Sequence, residues 1–135
     1  MVRSFTLFIF TFIFLLACKD RVSESKKYLH EGVKLMYESK FAESLQMMEK
    51  AISLDPESFE AYYHYGNCLR NLRRNTEAMD AYNKSISLNS EFAEVFFNRG
   101  LLREQYGDRE GACEDYKKAE ALGKPNVSDK TRMCF

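Results

Sequence analysis

Six residues have types that can do chemistry beyond packing: Cys18, Cys68, Cys113, Cys134, His30 and His64. A thiol can be acylated, can pair with another thiol or can hold a metal; an imidazole can take a proton near neutral pH or act as a ligand. The histidines stand 34 residues apart, and Asn98 continues their row by the same interval. Stacked units would bring the two imidazoles within about 10 Å, which falls short of shared coordination near 2 Å. Solvated groove histidines are therefore the expectation, with a pH-sensitive contact as the alternative, and a metal site is not expected. No acid, base and nucleophile recur at a usable spacing, and no Gly-rich phosphate loop is present, so neither an enzyme nor a cofactor is expected. Met47-Met48 places Met48 in a core stripe, with nothing to suggest a cofactor role.

Cys18 stands apart from the other thiols. The chain opens Met1-Val2-Arg3 and then runs uncharged from Ser4 to Cys18, rich in Phe, Ile and Leu. Such a run is short for a bilayer span, which needs roughly 20 residues. A basic start, a short apolar stretch and a small residue before the break describe a secretory leader. Its end, Leu15-Leu16-Ala17-Cys18, resembles the bacterial lipobox. That resemblance implies cleavage after Ala17, diacylglycerol on Cys18 and a further fatty acyl chain on the new amine. An uncleaved signal anchor is the alternative. Several acyl chains on one residue anchor stably, whereas one would not. The resemblance also implies the outer membrane of a diderm cell, because Lys19 is not the aspartate of the best-known retention rule.

The elements that position everything else are set by Gly32, Gly66 and Gly100, again 34 residues apart. Four residues before each stands an aromatic (Tyr28, Tyr62, Phe96), and twelve after comes a small residue (Ser44, Ala78, Ala112). Sixteen after come Met48, Tyr82 and Tyr116, and twenty-two after Leu54, Leu88 and Leu122. A fixed period of this size marks a repeat architecture whose units bury their apolar faces on one another. Within one unit Tyr62, Tyr65, Gly66 and Leu69 fall on one helical face, and Ala78, Tyr82 and Ser85 form a stripe on a second helix. Each unit is thus a helical hairpin, with Gly66 expected opposite Ala78 so that two backbones approach closely.

These residues resemble the tetratricopeptide repeat from about Ser25 to Leu122. Glu31 and Arg99 depart from it before the glycine, and Arg103 departs from it in the core. The resemblance implies an all-α solenoid of three helical hairpins plus a short C-terminal capping helix. The expected organisation is a cleaved leader over 1–17, a lipidated tether over 18–24, repeats over 25–58, 59–92 and 93–124, and a cap over 125–135. Helices are expected near 24–38, 41–54, 58–72, 75–88, 92–106 and 109–122, with a closing helix within Val127–Phe135. Pro56 is expected in a first helical turn and Gly107 where a left-handed turn is wanted. An extended tether of six residues would reach about 20 Å.

In this family the first helix of each hairpin lines a concave groove. Carried onto this chain, the groove residues are Leu29, His30, Val33 and Tyr37, then Tyr63, His64, Asn67 and Arg70, then Phe97, Asn98 and Leu101. Leu29, Val33, Tyr63, Phe97 and Leu101 would form a central apolar strip, suited to a peptide or an amphipathic helix. Chaperone-binding members clamp a terminal carboxylate; the matching positions here hold Leu29, Val33, His64, Glu94 and Asn98, so that clamp is absent. With 20 basic and 20 acidic residues in 135, no bulk charge recruits nucleic acid. The expected function is a membrane-anchored scaffold for a protein or peptide partner in a bacterial envelope assembly. The alternative is a self-associating structural subunit whose groove a sister chain or its own tether fills.

Export would leave Cys68, Cys113 and Cys134 in an oxidising compartment. Counting back from Leu122 and forward from Asn126 places Cys113 and Cys134 at similar heights on adjacent helices. Similar lipoprotein repeats pair a Gly-Ala-Cys-Glu-Asp stretch, here Gly111–Asp115, with a cysteine near the C-terminus. A Cys113–Cys134 bond is the expectation, with Cys68 as a competing partner and three free thiols as the further alternative.

Overall fold

The computed structural model describes the backbone of residues 2–134 and the side chains of residues 20–134. Among the described residues seven helices follow one another: α1 (Val2–Tyr37), α2 (Phe41–Leu54), α3 (Phe59–Asn71), α4 (Asn75–Leu88), α5 (Ala93–Gln105), α6 (Arg109–Ala121) and α7 (Ser128–Arg132). The closest pairs are α1 with α2, α3 with α4 and α5 with α6, and each hairpin then packs on the next, α7 closing the row on α6. The core runs through the stack as Leu45, Leu69, Tyr82, Val95, Leu102, Tyr116 and Val127.

The first helix of every hairpin ends in the same way. Lys40, Arg74 and Asp108 donate their backbone N–H to the carbonyls of Leu35, Leu69 and Arg103 at 2.9, 2.9 and 3.0 Å. The residue before each, Ser39, Arg73 or Gly107, lies in the left-handed region at φ 60°, 61° and 81°. This is the Schellman stop, which satisfies otherwise orphaned carbonyls and favours glycine because it lacks a Cβ. Gly107 fulfils the expectation, whereas Ser39 and Arg73 hold the same geometry with a side chain. Between hairpins, Asp55 Oδ1 accepts from Glu57 N and Asn89 Oδ1 from Glu91 N, so the two connections are equivalent Asx turns. Pro56 sits in that turn and not in the first turn of α3, which begins at Phe59 behind its cap Ser58.

Gly66 makes the expected close backbone approach to Ala78, but the tightest contact at each of the three glycines is with a side chain. A Cβ on Gly66 would lie 2.7 Å from the Tyr82 ring and 3.3 Å from the Ala78 carbonyl; on Gly100 it would lie 2.7 Å from the Tyr116 ring, and on Gly32 2.6 Å from Met48 Cε. Each glycine therefore seats the large side chain sixteen residues later. On another face, Lys50, Lys84 and Lys118 place their ammonium groups 5.3, 5.8 and 6.0 Å from the rings of Tyr28, Tyr62 and Phe96, once per hairpin.

The N-terminal part of the domain also departs from expectation. The tether over 18–24 was to be extended up to about Glu24, yet α1 passes through residues 20–24 without a break. Arg21 Nη2 donates to the Ser53 carbonyl at 3.1 Å, and Ser25 Oγ to the Ala51 carbonyl at 2.8 Å, which fastens this turn to the end of α2. Among the described residues no helix is long and apolar enough to cross a membrane. The side chains of the expected leader, with Cys18, the residue expected to carry lipid, lie outside the described residues, as does Phe135.

Candidate functional site

Two arginines that break the repeat pattern explain each other. Asp115 is buried, and its carboxylate accepts from Arg99 Nε at 2.9 Å and Nη2 at 2.7 Å, with Arg103 Nη1 3.1 Å from Oδ2. Arg99 also donates to Asn83 Oδ1 at 2.7 Å and Arg103 to the Gly111 carbonyl at 2.9 Å. A buried carboxylate needs such partners. The third hairpin thus adds a buried ionic cluster beside its apolar core residues, and this cluster is structural.

The polar groove residues divide into spent and free groups. Asn67 is buried, and its Oδ1 accepts from Tyr82 Oη at 2.8 Å and Asn98 Nδ2 at 2.9 Å. Asn98 Nδ2 also donates to Tyr63 Oη at 3.0 Å. Tyr63 packs edge-on against Phe92 of the next hairpin at 5.0 Å, and Lys124 covers the Phe97 ring at 5.3 Å. Burial raises the titration of the Tyr63 and Tyr82 hydroxyls, so both remain neutral donors or acceptors. Tyr63, Asn67 and Asn98 therefore weld the second hairpin to the third, Phe97 is covered by Lys124, and the strip expected to run open along all three units is closed at its centre.

What remains open lies between α1 and α3. Val33, Met36, Tyr37, Tyr63, His64 and Asn67 line a cleft of about 300 Å³. Through Val33 and Tyr37 it continues into a hollow of about 340 Å³ beside His30, Lys34 and Glu38. Tyr37 is 88% exposed at the end of α1, an aromatic side chain standing almost free of the core. Of the two histidines expected to be solvated, His30 is exposed and His64 is not. The buried His64 Nδ1 has no hydrogen-bond partner, and desolvation lowers its titration from the usual 6.5 to about 4. The Tyr63 ring meets it edge-on at 4.8 Å. Leu29, Arg70 and Leu101 are half-buried.

Cys113 and Cys134 are joined in a disulfide, with their Cα atoms 5.5 Å apart. Cys68 is a buried free thiol 3.1 Å from Ser44 Oγ, and burial pushes its titration up. Among the described residues no group of three or more His, Cys, Asp or Glu side chains is arranged to hold a metal ion.

Residues 30–91 match the family model described as tetratricopeptide repeat. No curated protein sequence matches the chain. Among solved structures, the first TPR of Spaghetti (RPAP3) bound to the HSP90 peptide SRMEEVD is 19% identical, with a TM-score of 0.78 over 84% of this chain and 91% of that one. The Arabidopsis OM64 TPR domain is 16% identical, with a TM-score of 0.79 over 84% and 96%. The Yersinia enterocolitica type III secretion chaperone SycD, in complex with a peptide of the translocator YopD, is 14% identical, with a TM-score of 0.74 over 81% and 90%. At these identities the likeness carries the fold and nothing finer. The repeat match and the three hairpins together make this an all-α solenoid of the tetratricopeptide type.

Proposed function

We propose that the chain is a protein-interaction scaffold, held at a bacterial envelope membrane by lipid on Cys18, that takes a peptide or helix from a protein partner. The observation that carries the binding part is the cleft between α1 and α3, lined by exposed Tyr37, half-buried Val33 and His64. An apolar wall with an exposed aromatic at its lip suits an apolar side chain of a peptide or helix. Two proteins of the same fold hold peptides, which supports the reading without naming the ligand. A chain terminus is a poor candidate ligand: the carboxylate-clamp positions hold Leu29, Val33, His64, Glu94 and Asn98. Anchoring at the outer membrane rests on Leu15-Leu16-Ala17-Cys18 and on Lys19 after it.

The two halves of the proposal are tested separately. Cys18→Ala should leave an unprocessed precursor that takes up no labelled fatty acid; labelling at the wild-type level would contradict anchoring. Tyr37→Ala with Val33→Ala removes exposed and half-buried groups, so helical content should be preserved while partner capture drops. Unchanged capture by the folded double variant would move binding away from this cleft.

A further inference from the structure

The residues after α6 lie against the third hairpin. Lys124 places its ammonium 5.3 Å from the Phe97 ring and 4.0 Å from Glu94. Lys130 of α7 meets Glu104 at 2.6 Å and lies 5.6 Å from the Tyr116 ring, while Thr131 donates to Glu120 at 3.3 Å. Three of the groups so covered, Glu94, Phe97 and Glu104, belong to α5, the helix that should give the third hairpin's share of the concave face. Hydrogen bonds from Lys130 and Tyr116 hold the Glu104 carboxyl below its usual range, so it stays charged. The segment is fastened at its far end by the Cys113–Cys134 bond, and its buried residues among those described are Val127 and Thr131. Its ion pairs are partly exposed, and such pairs hold little by themselves. A polar hollow of about 300 Å³, lined by Cys113, Tyr116, Lys130 and Met133, opens beside the disulfide.

We infer that residues 123–134 form a redox-latched strap over an acidic and aromatic docking surface made by Glu94, Phe97 and Glu104, and that the occupant after release is a lysine-bearing segment of a partner protein. The chemistry of the occupant is taken from the strap itself, which already seats one lysine on the aromatic ring beside Glu94 and another on Glu104. Release requires a dithiol reductant. One thiolate of that dithiol attacks a sulfur of the Cys113–Cys134 bond, which breaks, forming a mixed disulfide and freeing one cysteine as thiolate. The second thiol of the reductant then displaces the other cysteine. The reductant leaves as its own disulfide, and its two electrons and two protons end on Cys113 and Cys134. The strap then keeps Val127, the Thr131–Glu120 hydrogen bond and its ion pairs, and a partner's lysines compete for the same carboxylates. This surface is distinct from the cleft between α1 and α3, so either assignment can fail without the other.

The test uses the purified protein oxidised, reduced with dithiothreitol, and as Cys113→Ser. Amide hydrogen exchange is followed over residues 124–134 and over α3. A fluorescein-labelled peptide of residues 124–134, with Cys134→Ser, serves as the probe. The expected result is at least a ten-fold faster exchange in the strap on reduction and in Cys113→Ser, with α3 unchanged. The probe should bind those two forms alone, and Glu104→Gln should weaken it several-fold. A strap that stays protected after reduction, a probe that binds the oxidised protein equally, or a reduced protein that ignores the probe would each overturn the inference. Exchange that rises in α3 as well would show the bond holding the whole fold, and would overturn it equally.

Discussion

Burial keeps the His64 imidazole neutral in the folded chain down to about pH 4, whereas an unfolded histidine takes a proton near 6.5. Between those values the unfolded chain binds the extra proton, so stability rises with pH across the window and is lost as pH falls through it. The separation amounts to about 3 kcal/mol at full extent. His64→Leu should therefore gain on the wild type by roughly 2–3 kcal/mol between pH 7.5 and pH 4.5 in urea unfolding. A constant gap between the two proteins across that range would contradict the buried, neutral imidazole. The position of His64 in the repeat was legible in the sequence, but the burial of its Nδ1 was not. Depth there depends on how far α1 leans over α3, which no local pattern records. The same limit applies to Asn67: its spacing points to the groove, yet Tyr82 and Asn98 take up its carbonyl inside the stack. Asp115 gave no signal except indirectly, through Arg99 and Arg103 standing where apolar residues belong.

At the scale of the element, the glycines and the left-handed stops make opposite predictions. A methyl group on Gly66 meets the fully buried Tyr82 ring, which cannot move aside, whereas on Gly32 it meets the terminal methyl of Met48, which can. Alanine in a helix gains about 1 kcal/mol over glycine, while overpacking costs about 1–3 kcal/mol. Gly32→Ala should come out within about 1 kcal/mol of the wild type, and Gly66→Ala clearly below it. Equal melting temperatures for the two variants, measured beside the exposed control Gln46→Ala, would remove the seat assigned to Tyr82. Arg73 makes the reverse case, since it holds φ 61° with a side chain. Arg73→Gly should raise stability by about 1 kcal/mol, the strain of left-handed geometry outweighing glycine's extra freedom; a loss on chemical denaturation would contradict this. Helix ends were readable wherever glycine or a capping side chain marked them, as at Gly107 and Ser58. At Ser39 and Arg73 only the 34-residue period betrays the stop, and the continuation of α1 through residues 20–24 rests on Arg21 reaching the Ser53 carbonyl, a contact 32 residues away in the chain.

The whole molecule is a short row of hairpins whose centre is welded and whose ends differ. The first two hairpins leave an apolar cleft with Tyr37 free at its lip, while the third is covered by a disulfide-fastened segment. Partner binding at the first end is the central claim, and placing a photo-crosslinking amino acid at single positions in intact cells tests it most directly. Position 37 lies on the cleft; position 46 is exposed on α2 and lies outside it. A discrete adduct is expected from position 37, lost with Val33→Asp, and none from position 46. An adduct from position 46 alone, or one from position 37 that survives Val33→Asp in the folded protein, would contradict partner binding at the cleft.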